Sequence, residues 1–408
     1  MPLLFKLFLA PAALLAIQSL WSLRDGRRFL AYVRRSLRAP RSGFHPPAVV
    51  IVPVKGVDAG LGAYVDSLLT QDYPDYSVIF TMASESDPAG ACLAGRLQAY
   101  RPIEGSGPRE VKQVIAGATR ERGEKVNNIL EALKAAPAEA QALVFADADT
   151  RPKADWLRSL VGPLADPAVM VSTGFRWYLP GRTFASRLRA AWDTSIATML
   201  GEHRHNFAWG GSMAIRVTDF RRLQVAERYW ASTVSDDYGL TRAVRDAGGW
   251  IRFEPRCLVA SSDETSWRDF RQWSNRQIII TRVYSPHLWR WGLLSHSLFC
   301  GTLLLGLCVI LLPGPGWARW GAAAFEALIL LLGLSKARQR ARVACELFPE
   351  EARLLRRHGA CYWRLWPLVP WMMLFNFITA GLTRRIEWRG RHYELISATE
   401  VRVVEPEA

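Results

Sequence analysis

The chain has 408 residues, of which 50% are hydrophobic and 22% are charged, and its formal net charge is +15. This length suits one or two domains, and the composition excludes a disordered chain, a collagen and a coiled coil. The apolar and the charged residues must therefore be segregated along the sequence. The six cysteines include no C-x-x-C pair, so neither a disulfide framework nor a zinc site is indicated, and they are typical of core thiols in a reducing compartment.

The first apolar segment covers residues 1–23, and seven arginines follow it between positions 24 and 41. A secretory signal peptide is one interpretation of this pattern. However, the segment is close to the roughly 20 residues that a membrane span needs, and the positive charges lie on the wrong flank for a signal peptide. A membrane anchor with its arginine side in the cytoplasm fits better. Residues 24–47 are then a basic juxtamembrane linker.

Residues 48–285 show short β-branched runs that alternate with helical stretches, which predicts an α/β domain with a mostly parallel sheet. The predicted strands are 48–54, 76–82, 110–115 and 143–146, and the predicted helices are 61–69, 89–100, 125–135, 155–164 and 239–247. Ligands of such sheets bind beyond the carboxyl ends of the strands. No G-x-G-x-x-G sequence follows the first strand, so a dinucleotide-binding fold is not indicated.

Acidic residues stand at the ends of these predicted strands and before a later helix. In chain order they are Asp87, Asp147, Asp149, Asp236 and Asp237. Two carboxylates separated by one residue at a strand end, as in Asp147 and Asp149, can bind one Mg²⁺ or Mn²⁺ whose remaining positions accept diphosphate oxygens. Asp87 precedes a proline and is equally well interpreted as a helix N-cap.

Two further motifs suit an anionic ligand. Lys125 opens a predicted helix just before the acidic strand, where a cation and helix amides can meet an anionic donor, although an ordinary solvated helix start also fits. Gly210 and Gly211 precede an apolar, strand-like run. Glycines there let the backbone approach a ligand closely, although a plain turn would need them too.

The last third of the chain is again apolar. Residues 286–335 predict two membrane segments, residues 336–360 a basic interfacial helix or a solvated loop, residues 361–383 a third membrane segment, and residues 384–408 a C-terminal tail. The arginines after the third segment favour a C-terminus inside, whereas three crossings would place it outside, so one segment could fail to cross. The weakest candidates are 320–334, which carries Glu326, and 362–382, which two prolines break and which could be re-entrant. No basic stripe with interleaved aromatics indicates nucleic-acid binding.

Taken in order, these motifs resemble the GT-A glycosyltransferases of families 2 and 21. The closest likeness is to ceramide glucosyltransferase and its bacterial relatives, including hopanoid-associated glycosyltransferases. The segments that carry the likeness are PVKGVDAGL, QDYPDYSVIF, SESDPAG and EKVNNIL, followed by the acidic and glycine motifs, over roughly residues 49–284. The sequence WRGRHY from Trp388 is a less diagnostic match.

The resemblance implies a GT-A domain that transfers a sugar from a UDP-sugar to a lipid hydroxyl with inversion, as in glycolipid or sphingolipid biosynthesis. The implied acceptors are ceramide, a hopanoid or diacylglycerol. Separately, the apolar segments, the arginines after the first of them and the preference for arginine over lysine predict a multi-pass protein of a bacterial inner membrane with a cytoplasmic catalytic domain. The resemblance implies Asp237 as general base with support from Asp236, and Asp147 and Asp149 as ligands of Mg²⁺ or Mn²⁺. The implied donor-binding residues are Asp87, Lys125, Asp147 and Arg276, and the implied acceptor-binding residues are Gly210, Gly211, Trp273 and Gln277.

Three departures from the family pattern bear on these roles. The signature Q/R-x-x-R-W falls on residues 273–277 and keeps Arg276, but Trp273 and Gln277 replace its first and last residues, which affects the expected acceptor. A His and a Cys at the donor site of the animal enzyme correspond to Asp193 and Phe207. Asp149 supplies the later carboxylate of the second acidic motif, which the family often lacks, and its presence favours metal use. The alternatives are a polysaccharide synthase, which the few spans disfavour, and a non-catalytic membrane scaffold, which the retained carboxylates disfavour.

Overall fold

The structure is a computed structural model that describes residues 2–58, 60–100 and 107–404. The chain divides into two compact units, each built from three segments. The helical unit consists of Met1–Arg34, Tyr178–Thr198 and Ser262–Arg384. The sheet unit consists of Arg35–Trp177, Met199–Ser261 and Arg385–Ala408. The predicted domain 48–285 is therefore shared between two units, because residues 178–198 and 262–285 associate with the apolar helices.

The secondary structure of the described residues comprises the following elements. The strands are β1 Ala48–Pro53, β2 Tyr76–Met82, β3 Glu110–Ile115, β4 Ala142–Ala146, β5 Val169–Tyr178, β6 Ser212–Arg216, β7 Trp250–Ser261, β8 Arg385–Trp388, β9 Arg391–Ser397 and β10 Glu400–Val404. The helices are α1 Pro2–Arg38, α2 Leu61–Leu69, α3 Pro88–Ala99, α4 Glu124–Lys134, α5 Trp156–Val161, α6 Phe184–Ala197, α7 Val217–Arg222, α8 Asp236–Asp246, α9 Trp267–Tyr284, α10 Pro286–Leu311, α11 Gly316–Leu347, α12 Ala352–His358, α13 Cys361–Arg364 and α14 Val369–Leu382.

The main sheet has seven strands in the order β3-β2-β1-β4-β6-β5-β7. Strands β1, β2, β3 and β4 pair in parallel, and β6 runs antiparallel to both β4 and β5. The residues of β2 and β4 are all buried, as are those of β1 except its last. Continuous apolar strands of this kind are typical of a parallel sheet that is covered on both faces. The predicted α/β fold class with a mostly parallel sheet is confirmed.

Helices cover both faces of the β1–β2–β4 core. On one face, Val126 and Ile129 of α4 pack in a cluster with Ile51 of β1. On the other face, Tyr64 and Leu68 of α2 pack in a cluster that contains the alternate residues of β1. Because the parallel strands share one direction, their carboxyl ends meet at the same edge of the sheet, and the loops that follow them lie there together.

The predicted C-terminal tail 384–408 forms a second sheet in the sheet unit, with the antiparallel order β10-β9-β8. Its first hairpin turns at Arg389 and Gly390, whose φ angles of 48° and 77° are typical of a two-residue hairpin turn. Residues 405–408 of the predicted tail lie outside the described residues. The middle strand β9 packs because its buried residues, Tyr393 and Leu395, alternate with half-buried ones.

The helical unit contains three helices that are long and apolar enough to cross a membrane, judged over the described residues: α1, α10 and α11. The predicted third C-terminal segment, 361–383, does not form one helix of that length. It contains α13, a 3₁₀ turn at Trp366–Leu368 and then α14, which has 14 residues and is about 21 Å long. Pro367 and Pro370 break the segment, because proline lacks a backbone N–H.

Two helices extend beyond their predicted ends. The apolar N-terminal segment continues through the predicted linker 24–47 as far as Arg38, and α11 continues through the predicted basic segment 336–360 as far as Leu347. Arg, Ala and Leu favour helix, and they dominate both extensions. Arg34 and Glu346 form an ion pair of 2.7 Å between the two extensions. These residues are therefore helical rather than loop.

Candidate active site

Asp147 and Asp149, which we call the D-x-D motif, follow the end of β4 directly. Asp147 lies between the chain that leaves β1 and the chain that enters β6, because β4 pairs with both strands. The Asp147 amide donates to the Gly211 carbonyl at 3.4 Å, and the Thr150 hydroxyl donates to the Asp147 carbonyl at 3.0 Å. The Asp147 and Asp149 side chains are 25% and 28% exposed, so a soluble ligand can reach both.

Lys125 connects the D-x-D motif to the acidic pair that begins α8. Its Nζ lies 2.7 Å from Oδ1 of Asp147 and 3.0 Å from Oδ2 of Asp236. Burial disfavours the charged ammonium, but the two carboxylates outweigh this effect and raise the pKa of Lys125 above its ordinary value. Lys125 therefore carries a permanent charge that holds three distant parts of the chain together.

Asp236 and Asp237 are neighbours with different environments. Asp236 is buried and points to Lys125, and burial raises the pKa of its carboxyl to about 6, against the opposing effect of Lys125. Asp237 is half-buried, and its Oδ1 accepts from the Tyr238 amide at 2.8 Å and from the Ser235 hydroxyl. Ser235 is the N-cap of α8. The start of this helix therefore orients Asp237, while Asp236 belongs to the buried charge cluster.

Arg176, which the sequence did not identify, is the second cation of this cluster. It lies on β5, and its Nη1 and Nη2 donate to the two oxygens of Asp149 at 3.0 and 2.5 Å. Nη2 also lies 3.4 Å from Oδ2 of Asp147, and the guanidinium lies 5.3 Å from the centre of the Trp209 ring. Burial alone would raise the pKa of Asp149, but Arg176 lowers it below the ordinary value. An arginine inside an apolar run is the signal that could have revealed it, because buried charges are paired.

Gly210 and Gly211 are required by the close packing of the cluster itself. A Cβ on Gly210 would lie 2.3 Å from Oδ2 of Asp236, and a Cβ on Gly211 would lie 2.3 Å from the Trp209 ring. Both distances are shorter than any normal contact. The glycines therefore let the chain's own carboxylates and ring approach the backbone, and their contact with an acceptor stays a prediction.

Asp87 is the N-cap of α3, as the alternative interpretation of its position predicted. Its Oδ1 accepts from the Ala89 amide and from the Gly56 amide, each at 2.9 Å. The second bond holds the loop that follows β1 next to the start of α3. A contact of Asp87 with the donor stays a prediction.

The hairpin between β8 and β9 brings two more arginines to the loop after β1 and the start of α4. Arg389 donates to the Lys55 carbonyl at 2.9 Å and to Asp58 at 3.0 Å, and Arg391 pairs with Glu124 at 2.6 Å. Burial opposes the charge of Arg389, but Asp58, and then the charges of the D-x-D motif, raise its pKa. The C-terminal tail thus adds positive charge beside the carboxylates.

The other predicted residues lie on α9 of the helical unit. Trp273 packs edge-to-face against Tyr178 and Trp192, with ring centres 5.5 and 5.1 Å away. Arg276 and Gln277 are half-buried on the same helix. The donor role of Arg276 and the acceptor roles of Trp273 and Gln277 stay predictions.

The donor set of the D-x-D motif fits a divalent cation that shares its ligands with a substrate. Among the described residues, no group of three or more His, Cys, Asp or Glu side chains is placed to hold a metal ion. Asp147 and Asp149 would therefore be the protein's own ligands, and magnesium commonly binds to one or two carboxylates together with substrate phosphates. At present Lys125 and Arg176 neutralise these carboxylates.

Comparison with known proteins gives the family. The sequence model of glycosyl transferase family 21 matches residues 7–401. The structure of a mannosyltransferase from Pyrobaculum calidifontis, in complex with GDP-mannose and Mn²⁺, is similar at 17% identity, 92% coverage of this chain, 98% of that chain and a TM-score of 0.46. A glucosyl-3-phosphoglycerate synthase from Mycobacterium tuberculosis, with Mn²⁺ and UDP-glucose, is similar at 16% identity, with 62% of this chain and 81% of that chain covered and a TM-score of 0.39.

These two similarities are too weak to assign a substrate, and the family match carries the assignment by itself. The matched residues include the D-x-D motif, the acidic pair of α8, the helices α10 and α11 and all but the first residues of α1. The predicted resemblance to family 21 is confirmed. The chain belongs to glycosyl transferase family 21 and is a glycosyltransferase.

Proposed function

We propose that this glycosyltransferase moves a sugar from a UDP-sugar to the hydroxyl group of a membrane lipid, with inversion at the sugar carbon. The observation that carries the proposal is a cluster of three carboxylates and two cations at the carboxyl ends of the parallel strands, in a chain with three membrane-length helices. The members of the cluster are Asp147, Asp149, Asp236, Lys125 and Arg176. The acceptors that we propose are ceramide, a hopanoid or diacylglycerol, as in a ceramide glucosyltransferase-like enzyme of glycolipid biosynthesis.

The carboxylates of the D-x-D motif would bind the donor through Mg²⁺ or Mn²⁺. When bound, such a cation neutralises the charge that develops on the leaving diphosphate. Asp147 and Asp149 would hold the cation, and Lys125 keeps Asp147 fixed at 2.7 Å. In the helical unit, Arg276 would supply a guanidinium for the diphosphate, a contact that lysine could not make with two parallel bonds. Asp87 would contribute on the uridine side.

Asp237 would be the general base. It would take the proton of the acceptor hydroxyl while the oxygen attacks the sugar carbon and UDP leaves. Two features support this choice over Asp236: Asp237 is half-buried, and the N-terminus of α8 fixes its orientation through Ser235 and Tyr238. Asp236 is buried against Lys125, which suits electrostatic support.

The membrane location follows from the proposed acceptor. A lipid hydroxyl is available at the bilayer surface, whereas a nucleotide-sugar is soluble in the cytosol. The helices α1, α10 and α11 would anchor the chain as a multi-pass protein, with the sheet unit on the cytoplasmic side of a bacterial inner membrane. Gly210, Gly211, Trp273 and Gln277 would contribute to the acceptor site.

Substitution of the two neighbouring acids tests the assignment. In the full-length protein, Asp237→Asn should lower UDP-sugar turnover by about 10³-fold, within the range of a lost general base, while UDP binding stays near that of the unchanged protein. Asp246→Asn, on the exposed end of α8, is the matched control and should keep full turnover. Turnover by Asp237→Asn at the rate of the control would contradict the base assignment.

A further inference from the structure

Arg176 occupies the two carboxylates that we propose as cation ligands. Its guanidinium donates to both oxygens of Asp149, at 3.0 and 2.5 Å, and lies 3.4 Å from Oδ2 of Asp147. The remaining oxygen, Oδ1 of Asp147, lies 2.7 Å from Nζ of Lys125. All four oxygens of the D-x-D motif therefore already face a positive group.

The position of Arg176 is well fixed. Its side chain is only 11% exposed, its backbone belongs to β5 near the centre of the antiparallel half of the sheet, and its guanidinium lies over the Trp209 ring at 5.3 Å. Two parallel hydrogen bonds between a guanidinium and a carboxylate are among the stronger polar contacts in proteins. A divalent cation cannot use both oxygens of Asp149 while this pair is intact.

We propose that Arg176 is a competing cation that holds the D-x-D motif closed in the metal-free protein. The guanidinium prevents the repulsion of Asp147 and Asp149, and it must leave Asp149 before a divalent cation binds there. The apparent affinity for the cation is therefore lower than the two carboxylates alone would give. This inference rests on the proposed role of the D-x-D motif, but not on the identity of the sugar or the lipid.

Mn²⁺ binding to the full-length protein, without donor or acceptor, tests the proposal directly. Free Mn²⁺ is measured by electron paramagnetic resonance during a titration in detergent. Arg176→Gln, which cannot pair as a cation, should bind Mn²⁺ about tenfold more tightly, because a hydrogen-bonded ion pair no longer has to be broken. Arg176→Lys keeps the positive charge but cannot make the two parallel bonds, so its affinity for Mn²⁺ should lie between those of the unchanged protein and Arg176→Gln. The Mn²⁺-induced rise in melting temperature should follow the same order.

Two controls make the result specific. Arg158→Gln removes another arginine of the sheet unit, which contacts Asp72 through Nε and Nη2, and it should leave Mn²⁺ binding unchanged. Asp149→Asn should weaken Mn²⁺ binding. Folding of each variant is checked by thermal unfolding, and Arg176→Lys serves if Arg176→Gln does not fold.

Mn²⁺ binding by a folded Arg176→Gln variant that is equal to or weaker than that of the unchanged protein would overturn the proposal, and so would unchanged binding by Asp149→Asn. The measurement involves no sugar transfer. A chain that binds Mn²⁺ as expected but releases no UDP would therefore refute the proposed function and leave the role of Arg176 intact.

Discussion

The raised pKa of Asp236 predicts that one substitution in the candidate active site stabilises the protein at neutral pH. Burial shifts this pKa from an ordinary value of 3.8 to about 6, although Lys125 lies 3.0 Å away. The folded protein thus holds the Asp236 proton more tightly than the unfolded chain does. The contribution of the neutral carboxyl is complete below pH 3.8 and is lost as the pH rises through about 6.

The size of the effect follows from the shift. One pKa unit corresponds to about 1.4 kcal/mol. With a shift of roughly two units, ionisation of Asp236 in the folded protein lowers the free energy of unfolding by about 3 kcal/mol. Asp236→Asn keeps the shape but cannot ionise. Relative to the unchanged protein, this variant should be equally stable near pH 4 and more stable by about 3 kcal/mol above pH 7. For a unit of this size the difference corresponds to roughly 6–10 °C in melting temperature.

Thermal unfolding of the full-length protein in detergent, followed by tryptophan fluorescence between pH 4 and pH 8, measures this difference. The melting temperature of Asp236→Asn minus that of the unchanged protein should rise with pH across the interval from 4 to 6.5. Asp246→Asn, an exposed acid of the same helix, should give no such rise. A difference that stays constant with pH would refute the reasoning, because Asp236 would then ionise at its ordinary pKa.

Two further predictions concern the packing around the site and the helical unit. Gly210→Ala places a Cβ 2.3 Å from Asp236 and should lower UDP-sugar turnover at least tenfold. The control Gly95→Ala places its Cβ in open space beside α3 and should keep full turnover. Equal turnover of the two variants would refute the packing requirement. Glu264 is partly exposed, but its bonds from the Arg182 amide and from Ser186 outweigh its burial and lower its pKa to about 2. The stabilising effect of the ionised Glu264 is therefore present above pH 4.5 and is lost as the pH falls towards 2. After allowance for solvent screening, Glu264→Gln should lower the free energy of unfolding by about 1 kcal/mol at pH 7 and by less at pH 3. Equal destabilisation at both pH values, in thermal unfolding, would count against this mechanism.

The parallel half of the sheet was predictable from sequence because β1, β2 and β4 are continuous apolar runs buried on both faces, and because the more exposed β3 is rich in β-branched residues. The predicted strands 76–82 and 110–115 coincide with β2 and β3, and the D-x-D motif follows β4 as expected. Their spacing in the sequence also predicted that Asp147 and Asp149 stand together at the end of one strand. These features depend on residues that are close in sequence.

The charge balance of the site depends on distant residues and was predicted only in part. Lys125 was identified as a cation near the acidic strand, but its contact with Asp236 spans more than a hundred positions of the chain. Arg176 was missed because no strand was predicted at Val169–Tyr178, and its carboxylate partners Asp147 and Asp149 lie almost thirty positions earlier in the chain. The C-terminal sheet was missed because short strands with few buried residues have weak patterns, and the continuation of α1 to Arg38 was missed because basic runs also suit loops. For the basic segment that α11 enters, a helix was one of the two predicted alternatives.

The most direct test of the central claim is UDP release by the full-length protein in detergent. UDP-glucose, UDP-galactose and UDP-N-acetylglucosamine are each supplied with ceramide, diacylglycerol or a hopanoid, with and without Mn²⁺ or Mg²⁺. We expect release that requires one lipid and a divalent cation together, and that Asp237→Asn lowers by about 10³-fold. UDP release that no lipid stimulates, or no release with any pair from a preparation shown to be folded, would contradict transfer to a lipid hydroxyl.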